Sequence, residues 1–460
     1  MASRLGAVDL GSLVCVDDFE IAAAASMAQH DFDYFAGGAE TEGTLRANAA
    51  AFRDLTLWPR VLRDVSTVDT AVSLPELGLP CLGVPIIAAP VAMLKIAHPE
   101  GEPAAAIACG KKGVLYCASQ QATTSIEKLS SVREEGIGRW MSEGTQRDDG
   151  DRGHTSDGDD VKYEQKSPKA RNPPPNMWFQ LYIFSDRQET EGLVKRAEKC
   201  GCAAFVVTVD APVLGRRERD VRNKFALRKE LRLENVVVTG TKKNTGAGSE
   251  PGTETQSRRR TTTSTTGTGT TSTTSTQASI AKRVGGRDTS LTWDFIKWIK
   301  TVTNKPIIVK GIVRKDDAKL AVKHGVHGVW VSNHGGRQLD GAPATLRALP
   351  GVVRGVEEGT RDLLQTKLFS KKKQKRIPII FDGGVRRGAD VVKALALGAD
   401  LVAVGRPLVW GLACGGEHGV GKVLDILKEE LTTAMALCGV AKIADIKNAK
   451  LVARLRRSRL

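Results

Sequence analysis

Two hydrophobic periods divide the chain. Over residues 17–52 the apolar positions fall in stripes, with Phe19, Ile21, Met27, Phe32, Phe35, Leu45 and Phe52 among Ala, Asp and Glu. That spacing predicts helices. From residue 86 the pattern changes to short, near-continuous apolar runs, each ending in glycine or polar residues: Ile86–Pro90, Val114–Ser119, Met177–Tyr182, Ala203–Asp210, Pro306–Gly311, Gly328–Asn333, Pro378–Gly384 and Leu401–Arg406. Runs of this kind are strands buried on both faces, as in a parallel sheet. Helix-like segments lie between several of them, at Gln188–Lys199, Trp293–Thr301, Asp316–His324 and Ala389–Leu397. Eight such units predict an α/β chain folded as a (β/α)8 TIM barrel, whose chemistry sits at the C-terminal ends of the strands. That rule alone selects Ser119, Gln180, Tyr182, Thr208, Asp210, Lys310, His334, Asp382 and Arg406.

Three stretches interrupt the alternation. Residues 141–176 are rich in Asp, Gly, Arg and Pro, residues 239–279 are largely Thr, Ser and Gly, and residues 351–376 end in a lysine cluster. Such compositions bury too little to offset chain entropy, so mobile insertions are expected. The expected organisation is an N-terminal helical segment over 1–85, a barrel over 86–440 carrying the three insertions, and a tail over 441–460, with closing helices at 387–398 and 421–438.

At 460 residues and 41% hydrophobic the chain can bury a large core. Its net charge of +16 invites a nucleic-acid or membrane reading, but much of the excess sits in Arg258–Arg260, Lys371–Lys373 and Arg454–Arg459. Those runs are low-complexity or terminal and lack interleaved aromatics, so neither partner is expected. The eight cysteines form no CxxC pair and no zinc spacing with histidine, which predicts reduced thiols and no metal. No run has signal-peptide or membrane-spanning length, so a soluble, intracellular protein is expected.

The densest chemistry lies at Gly328-Val-Trp-Val-Ser-Asn-His-Gly-Gly-Arg-Gln-Leu-Asp340, a strand that turns abruptly polar. Ser332-Asn333-His334-Gly335-Gly336-Arg337-Gln338 resembles the active-site signature of the FMN-dependent L-2-hydroxy-acid oxidases and dehydrogenases. Two further strings carry the same resemblance: Asp33-Tyr34-Phe35-Ala36-Gly37-Gly38-Ala39 and Val213-Leu-Gly-Arg-Arg-Glu218. Outside the insertions the likeness covers nearly all of residues 17–440.

The resemblance implies an FMN-dependent oxidation of (S)-2-hydroxy acids to 2-oxo acids, with O2 reduced to H2O2. His334 is the expected base, since imidazole titrates near neutrality, and Asp210 is expected behind it, stabilising the imidazolium. Arg337 and Arg217 are expected to hold the substrate carboxylate, with Tyr34 and Tyr182 beside it. For FMN the resemblance implies Pro90, Val91, Ala92, Ser119, Gln180, Tyr182, Thr208 and Ser332 along the ring and ribityl chain, and Lys310 near the ring nitrogen N1. The phosphate site is readable independently: Asp382-Gly383-Gly384-Val385-Arg386 and Gly405-Arg406 follow the last two strands, where glycines expose N–H groups and arginines neutralise charge. Dinucleotide-type glycine spacing is absent, which argues against NAD.

Two departures from the family pattern bear on specificity. Val91 replaces a threonine in Ala89-Pro90-Val91-Ala92-Met93, and Gln121 stands where glycolate oxidases carry a pocket-shaping tryptophan. A wider pocket favouring lactate-sized or longer acids is therefore expected. The chain ends in Ser458-Arg459-Leu460, a variant of the peroxisomal Ser-Lys-Leu address, so import by the peroxisomal receptor is expected. A homo-oligomer is also expected. The lack of a haem-binding extension favours O2 as acceptor; the alternatives are a dehydrogenase with another acceptor and a non-catalytic flavin-binding homologue.

Overall fold

A computed structural model describes residues 8–146, 176–236, 286–365 and 376–454. Most of the first expected insertion, all of the second, residues 366–375 of the third and Ser458-Arg459-Leu460 lie outside the described residues.

The chain opens with helices α1 (Val16–Ser26), α2 (Gln29–Ala36) and α3 (Gly43–Arg53), as their apolar stripes require. Strands β1 (Leu55–Leu57), β2 (Val72–Leu74) and β3 (Leu79–Leu82) follow. These short strands share the N-terminal segment with the helices expected over 17–52. The β2–β3 hairpin acts as a plug: Leu77, Leu79 and Leu82 pack with Trp178, Ala204, Ile308, Trp330 and Leu401 in one buried cluster. The Trp178 Nε1 donates to the Leu77 carbonyl at 3.2 Å, tying the hairpin to the lower end of the barrel.

Eight strands then close the barrel, and they are the eight apolar runs of the sequence. They are β4 (Ile86–Ala88), β5 (Leu115–Ser119), β6 (Trp178–Leu181), β7 (Ala204–Thr208), β8 (Ile307–Ile312), β9 (Gly328–Val331), β10 (Ile379–Phe381) and β11 (Leu401–Val404), with β11 pairing back onto β4. All neighbours are parallel. With one end plugged by the hairpin, only the C-terminal strand ends are left to form a site.

Around the barrel stand α4 (Gly101–Lys111), α5 (Ile126–Gln146), α6 (Arg187–Lys199), the short α7 (Glu218–Arg222), α8 (Phe295–Val302), α9 (Lys315–Lys323), α10 (Thr345–Gln365), α11 (Gly388–Ala396), α12 (Arg406–Leu437) and α13 (Ile443–Ile446). Helix α12 starts directly after β11, earlier than the expected 421, and bends at Gly415–Gly416. The expected tail is also partly ordered: Ile446 and Leu451 are fully buried, and β12 (Val452–Arg454) pairs antiparallel with β1.

Residues 351–365 correct a second expectation. They belong to α10, with Val352 and Val356 buried, rather than to an insertion. Their glycines look like loop residues but mark a close helix crossing. A Cβ built on Gly355 would lie 2.1 Å from the Lys315 carbonyl oxygen, and one on Gly359 would lie 2.9 Å from Cβ of Val322. Gly355→Ala is therefore expected to cost about 1–3 kcal/mol through overpacking and to lower the melting temperature by several degrees. Gly351→Ala, with open space around it, should not. Equal melting of wild type and Gly355→Ala would contradict the crossing.

Candidate active site

One cavity of about 1050 Å3 opens at the C-terminal end of the barrel. It gathers Tyr34, Pro90, Val91, Ala92, Ser119, Gln180, Tyr182, Thr208, Arg217, Lys310, His334, Arg337, Asp382, Gly383, Gly384, Val385, Arg386, Gly405 and Arg406 from all parts of the chain. Of the candidates named from the sequence, Asp210 and Ser332 stand one layer behind its wall. Gln121 lines it as well.

Strand register sets the charged floor. Thr208 pairs with Lys310, Lys310 with Trp330, and Phe381 with Val331, so residues at adjacent strand ends meet. The Lys310 ammonium donates to Ser332 Oγ at 2.9 Å and lies 3.6 Å from Asp382 Oδ2. Asp382 accepts from Ser332 Oγ at 2.8 Å and from the Trp330 indole at 2.9 Å. Burial pulls the Lys310 pKa down, but the Asp382 and Asp210 carboxylates outweigh it and hold the ammonium above its usual range. Further up the wall, Gln180 Nε2 donates to Thr208 Oγ1 at 3.1 Å, next to Ser119.

His334 sits in the left-handed region at φ 59°, followed by Gly335 and Gly336 at φ 64° and 76°. A non-glycine residue there is strained, and such strain collects at functional sites. Its backbone N–H donates to Ser332 Oγ at 3.1 Å, and its Nδ1 meets Asp210 Oδ1 at 2.8 Å. Nε2 is thereby left as the ring nitrogen for the cavity. Burial lowers the His334 pKa below the usual imidazole range; Asp210 opposes that shift and Lys310 adds to it. Burial raises the Asp210 pKa, but the His334 and Lys310 charges overcome it and hold the carboxyl below its usual range. The pair is thus a neutral imidazole backed by a carboxylate, the arrangement a general base needs.

Arg337 has a divided role. Its Nη1 donates to the carbonyls of Tyr34, Phe35 and Gly37 at the end of α2, and its carbon lies 5.0 Å from the Tyr34 ring centroid. The expected fork is therefore confined to the Nε–Nη2 edge. Burial, with repulsion from Arg217, pushes its pKa down to about 10. Arg217 donates from Nε to the Arg337 carbonyl at 3.4 Å, in a loop that packs closely enough to exclude any side chain at Gly215. A Cβ there would lie 2.4 Å from the Gln338 carbonyl.

The far end of the cavity suits an anion. Helix α12 begins there behind Gly405, with no side chain capping its first N–H groups. Packing does not demand this glycine, since a Cβ would meet its nearest neighbours only at 3.8 Å. An open helix N-terminus beside Arg386 is a phosphate-sized anion site. The three guanidinium nitrogens of Arg406 already donate to Phe35, Gly335 and Gly37 carbonyls, so Arg406 offers charge more than hydrogen bonds. Between this end and Lys310 runs the wall of Pro90, Val91 and Ala92. A flat ring with a phosphate tail fits these surroundings.

Three contributors escaped the sequence reading. Buried Glu102 accepts from the backbone N–H groups of Leu94 and Thr123 at 3.0 and 2.8 Å, and so fixes the loops around Gln121. Asn48 and Asn333 exchange amide hydrogen bonds at 2.9 and 2.8 Å, joining α3 to the histidine turn. Arg287 lies over the Tyr182 ring, 3.7 Å from its centroid. It lies eight residues past the Thr/Ser-rich stretch of 239–279, outside every motif quoted above.

Known proteins place this arrangement. The family model described as FMN-dependent dehydrogenase matches residues 23–153 and 159–453. The chain is 38% identical over 438 residues to 2-hydroxyacid oxidase 1 of Homo sapiens, covering 94% of this chain and 95% of that protein. It is 37% identical over 437 residues to a peroxisomal (S)-2-hydroxyacid oxidase of Arabidopsis thaliana, covering 95% and 96%. A crystal structure of mandelate oxidase matches at TM-score 0.71 and 30% identity, over 96% of this chain and 99% of that one.

The charge balance at His334 can be tested directly. Asp210 favours the imidazolium, whereas burial and Lys310 disfavour it. In Asp210→Asn the His334 pKa should therefore fall further, and an NMR titration of the ring should show the transition at lower pH than in wild type. A shift upward would contradict the assigned pairing.

Proposed function

The chain belongs to the FMN-dependent dehydrogenase family, and from that premise we propose how its residues divide the oxidation of a 2-hydroxy acid to a 2-oxo acid. Bound FMN would supply the two-electron acceptor for this oxidation and the route from it to O2, with H2O2 as the product. Arg386, the N–H groups at Gly384 and Gly405 and the charge of Arg406 would hold its phosphate. Ser119, Gln180 and Thr208, with Pro90, Val91 and Ala92, would hold the ribityl chain and ring, and Lys310, fixed from behind by Ser332 and Asp382, would stabilise negative charge on the ring.

Arg337, through its Nε–Nη2 edge, and Arg217 orient the substrate carboxylate beside Tyr34 and Tyr182. His334 Nε2 accepts a proton from the substrate, and Asp210 stabilises the imidazolium that results. The observation carrying this reading is the 2.8 Å Asp210–His334 contact at the mouth of a cavity with a buried ammonium on its floor. Removing the base should leave FMN bound but slow flavin reduction by about two orders of magnitude or more. The test is anaerobic mixing of His334→Ala with a 2-hydroxy acid while flavin absorbance is followed. Reduction at the wild-type rate would remove His334 from the mechanism.

Ser458-Arg459-Leu460 supports peroxisomal import, as does the peroxisomal name of the Arabidopsis relative. Deleting Leu460 should leave a fluorescent fusion in the cytosol; unchanged peroxisomal puncta would exclude this address. Exposed Trp58, Val61 and Leu62 on one surface segment support self-association.

A further inference from the structure

The cavity carries more positive charge than the proposed reaction uses. Eight lysine and arginine side chains line it, against the two carboxylates Asp220 and Asp382. Arg386 and Arg406 face the phosphate end, Lys310 the ring, and Arg217 and Arg337 the reacting carboxylate. Two others, Arg216 and Lys224, are exposed to solvent. Arg287 is left over.

Its surroundings do not explain it. Arg287 is partly buried, its Nη1 donates to the Ala211 carbonyl at 3.0 Å, and its Nε is buried without a hydrogen-bond partner. The adjacent carboxylate, Asp288, pairs with Arg187 at 2.6 Å instead. Asp210 attracts Arg287 from a distance, but its close contact is with His334. Among the described residues Arg287 has no carboxylate within ion-pair distance. A desolvated guanidinium without a carboxylate is costly, and stacking on Tyr182 recovers only part of that cost. Repulsion from Arg217 adds to the effect of burial in holding its pKa below the usual arginine range.

Position gives the surplus charge a use. Arg287 and Tyr182 line both the main cavity and a smaller one of about 400 Å3 beside it. A substrate side chain extending past Tyr182 therefore meets Arg287. Gln121, an amide on the main cavity wall, adds a polar surface and leaves room where an indole would stand.

We propose that Arg287 binds a second anionic group on the substrate, so that the preferred substrates are 2-hydroxy dicarboxylic acids. The inference rests on the function proposed above and names the substrate class of that site. The oxidation itself is unchanged: two electrons and two protons leave the hydroxyl-bearing carbon and its oxygen, and the distal carboxylate takes no part in bond making.

The test compares kcat/KM for 2-hydroxy dicarboxylates with monocarboxylates of equal chain length, using FMN-loaded enzyme. Wild type should favour the dicarboxylate by about ten-fold or more, the scale of one charge-assisted hydrogen bond. Arg287→Leu should reduce that ratio about ten-fold, whereas Arg287→Lys should retain part of it. A purely structural role would slow both series equally. If Arg287→Leu loses its flavin, Arg287→Gln keeps a donor for the Ala211 carbonyl and serves in its place. Monocarboxylates that reduce the flavin as well as dicarboxylates, with a ratio insensitive to residue 287, would overturn this inference and leave the oxidase reading standing. Failure of both series to reduce the flavin would overturn the oxidase reading, and this inference with it.

Discussion

A carboxylate and an imidazole meeting 2.8 Å apart at the top of a parallel barrel set the terms for the rest of the site. Neither group is at ease there alone. A desolvated carboxylate is costly unless hydrogen bonds and nearby cations compensate it, and here the His334 ring and the Lys310 ammonium do so. The barrel meets that constraint by placing one ionisable residue at the end of each of four successive strands: Asp210 after β7, Lys310 on β8, His334 after β9 and Asp382 after β10. Parallel register makes them neighbours, and the hydrophobic plug from β2 and β3 keeps water from the other end. The ammonium therefore remains charged in the interior while the imidazole remains neutral, which is the protonation pattern a base beside an electron acceptor requires.

The N-terminal helices are part of the same arrangement. The end of α2 presents the carbonyls of Phe35 and Gly37, and both Arg337 and Arg406 donate into them. Cations at a helix C-terminus are favourable. Here they also couple Tyr34 to two barrel loops, so the segment before the barrel fixes the orientation of Arg337. The engagement of Arg337 Nη1 leaves one edge of its guanidinium, and Arg217, for the carboxylate recognition proposed above.

Much of this was legible in the sequence. The barrel strands were, because buried parallel strands are continuous Val/Ile runs that turn polar where chemistry begins; Val329-Trp330-Val331 followed by Ser332 to Arg337 is the clearest case. Helix α10 was not, because Gly355 and Gly359 read as loop residues until the α9 backbone is seen against them. The hairpin plug and the β1–β12 pair were missed because these strands of three or four residues mix buried and exposed positions and show no continuous apolar run. Glu102, Asn48 and Arg287 act through neighbours distant in the chain. No local pattern distinguishes a buried carboxylate that receives backbone N–H groups from an ordinary helix residue.

The enzyme moves two electrons from a 2-hydroxy acid to oxygen through FMN. The most direct measurement adds a limiting amount of 2-hydroxy acid to the FMN-loaded protein without air, then admits air and quantifies 2-oxo acid and H2O2. Flavin colour should be lost on adding substrate and return with air, with one H2O2 for each 2-oxo acid formed. Flavin that stays coloured with every 2-hydroxy acid offered, or that bleaches and then fails to reoxidise in air, would contradict it.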